Sequence, residues 1–392
     1  MAEDASVVIV GGAVIGSAVA YFLTADPAFR GRVTVVEKDP TYGSCATARS
    51  AGSIRQQFST PENILMSLFG ISFLRQAESL LAVAGEGPAL SLTEGGYLFL
   101  ASAAGLAVLE ANQREQRRLG ADNRLLGPAE LAARFPWLRV DDLAGGCLGL
   151  SMEGWFDPYA LMQGFRRKAR AQGAVYLEGE VVGLETEAGR VTAAGLADGR
   201  KLACSHLVNA AGLWGGEVAA MAGLAIPVSP RKRLVFVIDC RERLAACPLI
   251  VDTSGAYLRP EGAYYICGLA PEATEDPVTR DFEVEHGFFE ERLWPLLAAR
   301  IPALEAVKVV NAWAGHYDMN GFDQNVLLGP APEVPNLYLA NGFSGHGLQQ
   351  SPAVGRALAE LIVHGRFLTL DLSRFSPRRL QENAPLREAN VV

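Results

Sequence analysis

The chain begins its ordered course with Ser6-Val-Val-Ile-Val10, Gly11-Gly-Ala-Val-Ile-Gly16 and Ser17-Ala-Val-Ala-Tyr-Phe-Leu23, then returns as Val33-Thr-Val-Val-Glu37. Apolar run, glycine turn, helical run and second apolar run make a βαβ unit of the dinucleotide-binding kind. Gly11 supplies the tight turn, which presents backbone N–H groups and a helix N-terminus to a pyrophosphate. Gly12 follows it, and Gly16 lets the helix pack closely on the sheet. Glu37 falls about 20 residues on, where a carboxylate binds a ribose 2′-hydroxyl and repels a 2′-phosphate. FAD or NAD is therefore favoured over NADP. Ala13 stands where the middle glycine of the fingerprint belongs, and one methyl predicts a slight displacement of the phosphate rather than loss of binding.

The bulk properties narrow the function. The chain has 392 residues, 49% hydrophobic and 20% charged, so two domains are expected. A net charge of −8 argues against a nucleic-acid surface. The short basic runs Arg166-Arg-Lys-Ala-Arg170 and Arg231-Lys-Arg233 read as a solvated helix face and a strand edge. Glu3 and Asp4 stand where a secretory leader needs basic residues, and the next apolar stretch is broken by glycines. No apolar run has the length of a membrane span. Cys45, Cys147, Cys204, Cys240, Cys247 and Cys267 show neither a C-x-x-C pair nor metal-ligand spacing. They read as free thiols, and the expected location is the cytoplasm.

A loop of small residues, Thr41 to Ser53, follows the second strand, and helical spacing runs from Pro61 to about Leu81. Asp157-Pro158 is an N-cap followed by an N1 proline, opening a helix over 158–171. Alternating stretches between 227 and 320 predict an antiparallel sheet. The end returns to α/β, with Leu337-Tyr-Leu-Ala340, the turn Asn341-Gly-Phe-Ser-Gly-His-Gly347 and a helix from about Pro352 to His364. The expected nucleotide domain is discontinuous, over 1–90, 150–226 and 322–392. A substrate domain takes 91–149 and 227–321.

Three strand–glycine–helix junctions, at residues 11, 212 and 345, suit a longer cofactor than NAD. The fingerprint, Glu37, Asp157-Pro158, Val208-Asn-Ala-Ala-Gly-Leu-Trp214 and Gly342-Phe-Ser-Gly-His-Gly347 together resemble the D-amino-acid-oxidase/sarcosine-oxidase family of flavoproteins. The resemblance spans essentially the whole chain. Within the family it is greatest to a mitochondrial member linked to assembly of respiratory complex I. Arg55-Gln-Gln-Phe-Ser59, Pro230-Arg-Lys-Arg233, Val251-Asp-Thr-Ser-Gly-Ala-Tyr257, Ala312-Trp-Ala-Gly315 and Phe322-Asp-Gln-Asn325 carry that likeness. The chain shows no targeting presequence, so a bacterial relative is expected.

The resemblance implies an α/β fold, an FAD-binding Rossmann-like domain of the glutathione-reductase type with a mixed, largely antiparallel sheet over the flavin. It places Gly11, Gly12, Ala13, Val14, Ile15, Gly16, Glu37 and Lys38 at the ADP half, and Val182 by the adenine. Ala211, Gly212 and Trp214 fall on the diphosphate side. Thr47, Arg49, Ser50, Ala51 and Gly52 come near the pyrophosphate and flavin. Gly345, His346, Gly347, Leu348 and Gln349 run along the ring and ribityl chain. Members with covalent flavin use a cysteine near Gly315 or a histidine near Arg49; neither is present, so non-covalent FAD is expected. Sarcosine oxidases hold a lysine over the flavin that promotes reaction with oxygen. Ile266 or a neighbour takes that place here, and no lysine lies between Arg259 and Pro271.

The activity implied is hydride transfer from the C–N bond of a secondary or tertiary amino acid, such as an N-methylated glycine or a proline-like ring, to flavin N5. The imine then hydrolyses in water. Without the lysine a dehydrogenase is expected rather than a fast oxidase. The alternative is a flavoprotein assembly or scaffold factor with structural FAD. A site for this chemistry must anchor the substrate's carboxylate, which a planar guanidinium does best. Arg55, directly after the flavin loop, is the first candidate; Arg259, Tyr257, Tyr265 and Arg233 are others. His346, between two glycines, faces ring or substrate, and His316 borders the cavity. Electron acceptor and oligomeric state stay open.

Overall fold

The computed structural model describes residues 5–388. Glu3 and Asp4, and the outermost ends of the discontinuous domain, lie outside the described residues.

Two large sheets organise the molecule. The first has six strands in the order Leu327–Ala331, Val334–Asn341, His206–Asn209, Ser6–Val10, Arg32–Glu37 and Val175–Glu178. All neighbours are parallel except the first pair. Its central strand is buried on both faces, with Val7, Val8 and Ile9 at 1% exposure or less, which explains why Ser6–Val10 reads as a continuous apolar run. Helices Val14–Ala25, Pro61–Leu74, Pro158–Ala171 and Gly347–His364 belong to the core on one face. A three-stranded sheet and helix Gly215–Met221 belong to the core on the other. Asp157 caps its helix by accepting from the N–H of Ala160 at 2.9 Å.

The second sheet has eight strands. Val307–Asn320, Val228–Cys240, Tyr264–Gly268, Tyr257–Glu261 and Leu249–Val251 come from the later segment, and Tyr97–Ala101, Gly145–Gly149 and Asn123–Leu126 from the earlier one. The segments join at a parallel pair, Leu249–Val251 with Tyr97–Ala101; every other pairing is antiparallel. Leu234, Phe236, Ile238 and Ala314 face a separate core under the 289–304 helical segment. No helix among the described residues is long and apolar enough to cross a membrane.

Two local expectations change. The last helix starts at Gly347, five residues before Pro352. Proline has no N–H to give Leu348, but that carbonyl accepts the Ser351 hydroxyl at 2.8 Å instead, so the helix runs through. The run Arg231-Lys-Arg233 is not a solvated edge. Arg233 pairs through both Nη atoms with Asp276 at 2.8 and 2.9 Å, and Lys232 holds Asp281 and Glu285 at 2.9 Å.

Candidate cofactor and active site

A cleft of about 1770 Å³, its open mouth included, takes residues from both sheets. One end is walled by Gly11, Ala13, Val14, Ile15, Glu37, Lys38, Val181, Ala211, Gly212 and Trp214. Thr47, Arg49, Ser50 and Ala51 line the middle. Arg233, Val235, Tyr257, Gly315, Tyr317, Asp318, Gly345, Gly347 and Leu348 line the far end. The glycine turns at 11, 212 and 345, some 330 residues apart in sequence, thus open onto a single space.

At the first end Gly11 has φ +98°, and a Cβ there would collide with the carbonyl of Ala210. A Cβ on Gly16 would strike the carbonyl of Gly11, so Gly16 serves helix–strand packing and does not line the cleft. Gly12 also sits behind the wall and donates its N–H to Glu37 Oε2 at 2.7 Å. Ala13 is the N-cap of the first helix, its methyl tolerated at the wall. The N–H groups of Ala13, Ile15 and Gly16 find no acceptor among the described residues. Neither do those of Gly347, Leu348 and Gln349 at the start of the last helix. Two helix N-termini therefore offer free donors and positive dipole ends to one elongated cleft, which fits an anionic dinucleotide carrying a polar ring. Lys38 stacks on Trp214 at 3.5 Å and closes this end.

Several expected contacts fall elsewhere. Val182 is 53% exposed and points outward; Val181 lines the cleft, as alternation along a strand requires. Gly52, at φ +73°, is pressed against the carbonyl of Phe156 and does not line the cleft. Gln349 is buried, its Oε1 accepting the Arg55 backbone N–H at 2.8 Å. Arg259 clasps the loop before Ser53, with Nε and Nη2 donating to the Ala51 carbonyl at 2.9 and 2.6 Å. It also pairs with Glu261. Tyr265 belongs to the far core, its hydroxyl accepting from the Leu244 N–H at 2.9 Å. His316 reaches the wall, yet its ring packs edge-on against Phe282 at 4.7 Å. Burial, opposed by nearby Asp281, lowers its pKa.

Arg55 and His346 come together but lie one layer behind the wall. Arg55 is 2% exposed and His346 5%. Arg55 Nη2 is 3.3 Å from His346 Nε2, and Nη1 donates to the Gln57 carbonyl at 2.8 Å. The guanidinium lies over Phe58, Phe99 and Tyr97, at 4.2, 5.0 and 5.8 Å. Burial and the Arg55 charge push His346 down to about 3, so the imidazole is neutral and accepts from arginine. On the wall itself Arg233 lies 5.0 Å over Tyr317, whose ring packs on Gly345. Among the described residues Lys38 is the one lysine lining the cleft, beside Trp214.

Two acids escaped the reading of the sequence. Asp318 lines the far end and accepts from the Gly342 N–H at 2.8 Å, tying the last glycine turn; burial pushes it up to about 6. Glu153 is buried beside the Arg55 loop. No local sequence pattern marks either acid. Gly315 and Arg49 face each other, a Cβ on Gly315 lying 3.2 Å from the Arg49 carbonyl oxygen.

Comparison with known proteins agrees with this geometry. The chain is 45% identical to FAD-dependent oxidoreductase domain-containing protein 1 of Xenopus laevis, over 100% of this chain and 85% of that protein. It is 27% identical to mitochondrial sarcosine dehydrogenase of Mus musculus, over 95% of this chain but 42% of that longer protein. Among solved structures, L-proline dehydrogenase from P. horikoshii superposes with a TM-score of 0.87 at 27% identity, covering 98% of this chain and 100% of the other. The DAO family profile, described as FAD dependent oxidoreductase, matches residues 6–361. With its glycine turns converging on one dinucleotide-shaped cleft, the chain belongs to the DAO family of FAD-dependent oxidoreductases.

Proposed function

We propose that the protein oxidises the C–N bond of a secondary or tertiary amino acid and passes the electrons to a carrier or quinone faster than to oxygen. The far end of the cleft carries this reading: two tyrosines and Arg233 on the wall, Arg55 behind them, and, among the described residues, no lysine lining that end. Bound FAD supplies the acceptor of the hydride, held non-covalently. Arg55 supplies the positive charge that attracts the substrate's carboxylate, and His346 fixes its guanidinium. Tyr257 and Tyr317 wall the space for the amine; burial raises both phenols, so they stay neutral and act as apolar faces. Arg259 and His316 act on structure. The absence of an ammonium group at this end removes a charge that would stabilise developing superoxide. Two relatives bear the names of dehydrogenases for sarcosine and L-proline, both secondary amines, which supports the substrate class.

The test is an anaerobic panel of amino acids and N-methylated amino acids mixed with the purified yellow protein. Bleaching by a secondary or tertiary amino acid, with slow peroxide release on admitting air, is the expected result. A flavin that no amino acid bleaches would instead favour the scaffold reading. Rapid peroxide in equal amount to substrate would refute the dehydrogenase assignment.

A further inference from the structure

Glu153 is 1% exposed and lines neither the cofactor turns nor the cleft. Its Oε1 accepts from the Gln56 backbone N–H at 2.6 Å, and its Oε2 from Gln57 Nε2 at 2.7 Å. The Gln57 carbonyl in turn accepts from Arg55 Nη1 at 2.8 Å. One carboxyl group thus grips both residues that follow Arg55. Its seat is tight, since a Cβ on Gly149 would collide with Oε2. Arg55 is buried, and at low dielectric the charge on a nearby carboxyl changes the field that its guanidinium projects.

We propose that Glu153 is a positioning residue that holds Arg55 in place and, by gaining or losing its proton, sets how strongly the far end of the cleft attracts a carboxylate. This rests on the reading of Arg55 as the source of that attraction. The ionisable groups facing Glu153 are Arg55 from the flavin loop, Tyr97 from strand Tyr97–Ala101 and Cys147 from strand Gly145–Gly149. Burial raises Tyr97 and Cys147, so both stay protonated at neutral pH. Beyond Arg55, His346 stays neutral, and Glu388 is held by Ser59, Thr60 and Asn63. Burial, opposed by hydrogen bonds from Gln57 and Gln56 and by the Arg55 charge, pushes Glu153 up to about 7. On the acid side it is uncharged and subtracts nothing from the Arg55 field. On the alkaline side its negative charge offsets that field, and a bound carboxylate is held less tightly.

The experiment titrates the FAD-loaded protein with propanoate, a redox-inert carboxylate, between pH 6 and pH 8. Binding is read from the flavin's visible absorbance and by calorimetry. The dissociation constant should rise about tenfold across this range, the effect of one pK unit of coupling. Glu153→Gln should remove the rise, and Glu153→Asp should restore part of it. Arg55→Gln should weaken binding at both ends of the range. If Glu153→Gln keeps the full rise while Arg55→Gln loses binding, the role of Glu153 is overturned and the anchoring reading stands. If Arg55→Gln binds propanoate like the parent protein, both fall.

Discussion

At the scale of single residues, the first βαβ unit depends on two glycines for different reasons. Gly11 needs its backbone conformation, while Gly16 needs the missing Cβ so that the helix can lie on the strand. Gly16→Val should therefore destabilise the fold by about 3 kcal/mol or more and yield protein largely free of flavin. The ratio of flavin to protein absorbance, with a thermal melt, checks both effects. Attachment of the cofactor is also a residue-scale matter. Gly315 and Arg49 offer no nucleophile, and the Cys45 thiol on the wall is raised by burial and by nearby acids. Acid precipitation should leave a colourless pellet and a yellow supernatant; colour retained in the pellet would show a covalent bond.

At the scale of elements, segment 271–285 has little apolar burial and is tethered by charge. Asp276 binds Arg233, Asp281 and Glu285 bind Lys232, and Arg280 pairs with Glu217 while stacking on Trp214 at 4.4 Å. Its Phe282 lies under the guanidinium of Arg49 at 4.2 Å. Arg233, Glu217, Trp214 and Arg49 all line the cleft, so the segment bridges its two banks. Asp276→Asn should loosen it by about 1–3 kcal/mol, the worth of a half-buried bidentate pair. Limited proteolysis within 271–285 should quicken in that variant, and in the parent protein at high salt. Equal cleavage rates at all salt concentrations would show that packing rather than charge holds the segment.

At the scale of the whole molecule, buried ion pairs and one buried acid tie distant parts of the chain to its stability. Asp323, fully buried, takes Arg379 through Nε at 2.7 Å and Nη2 at 3.0 Å, pinning the C-terminal segment. Arg379→Ala leaves that charge unpaired and should cost about 3–5 kcal/mol in denaturant unfolding. Glu153 acts through pH. Burial raises its folded pKa from 4.5 to about 7, so the folded state holds the proton more tightly than the unfolded chain. Stability is then full below pH 4.5 as far as this group is concerned. It falls as pH rises through 7, by about 3 kcal/mol on the alkaline plateau. Unfolding titrations at a series of pH values should show this slope, and Glu153→Gln should flatten it.

The local motifs could be read in one dimension because each is a contiguous constraint: a glycine that only a turn requires, an acid at strand's end, a proline after an aspartate. They made the dinucleotide unit, the mixed architecture and the family legible. Tertiary structure decided what depends on partners far apart in sequence. Pairing across strands turned Val182 outward and Val181 inward. Packing drew Arg55 and His346 behind the wall, left Arg233 on it, and put Arg259 to work as a clasp. Glu153 and Asp318 gained their perturbed acidity from burial among residues that no local pattern connects to them. Desolvation and long-range contact are properties of the folded chain, and no spacing of residues along it encodes them.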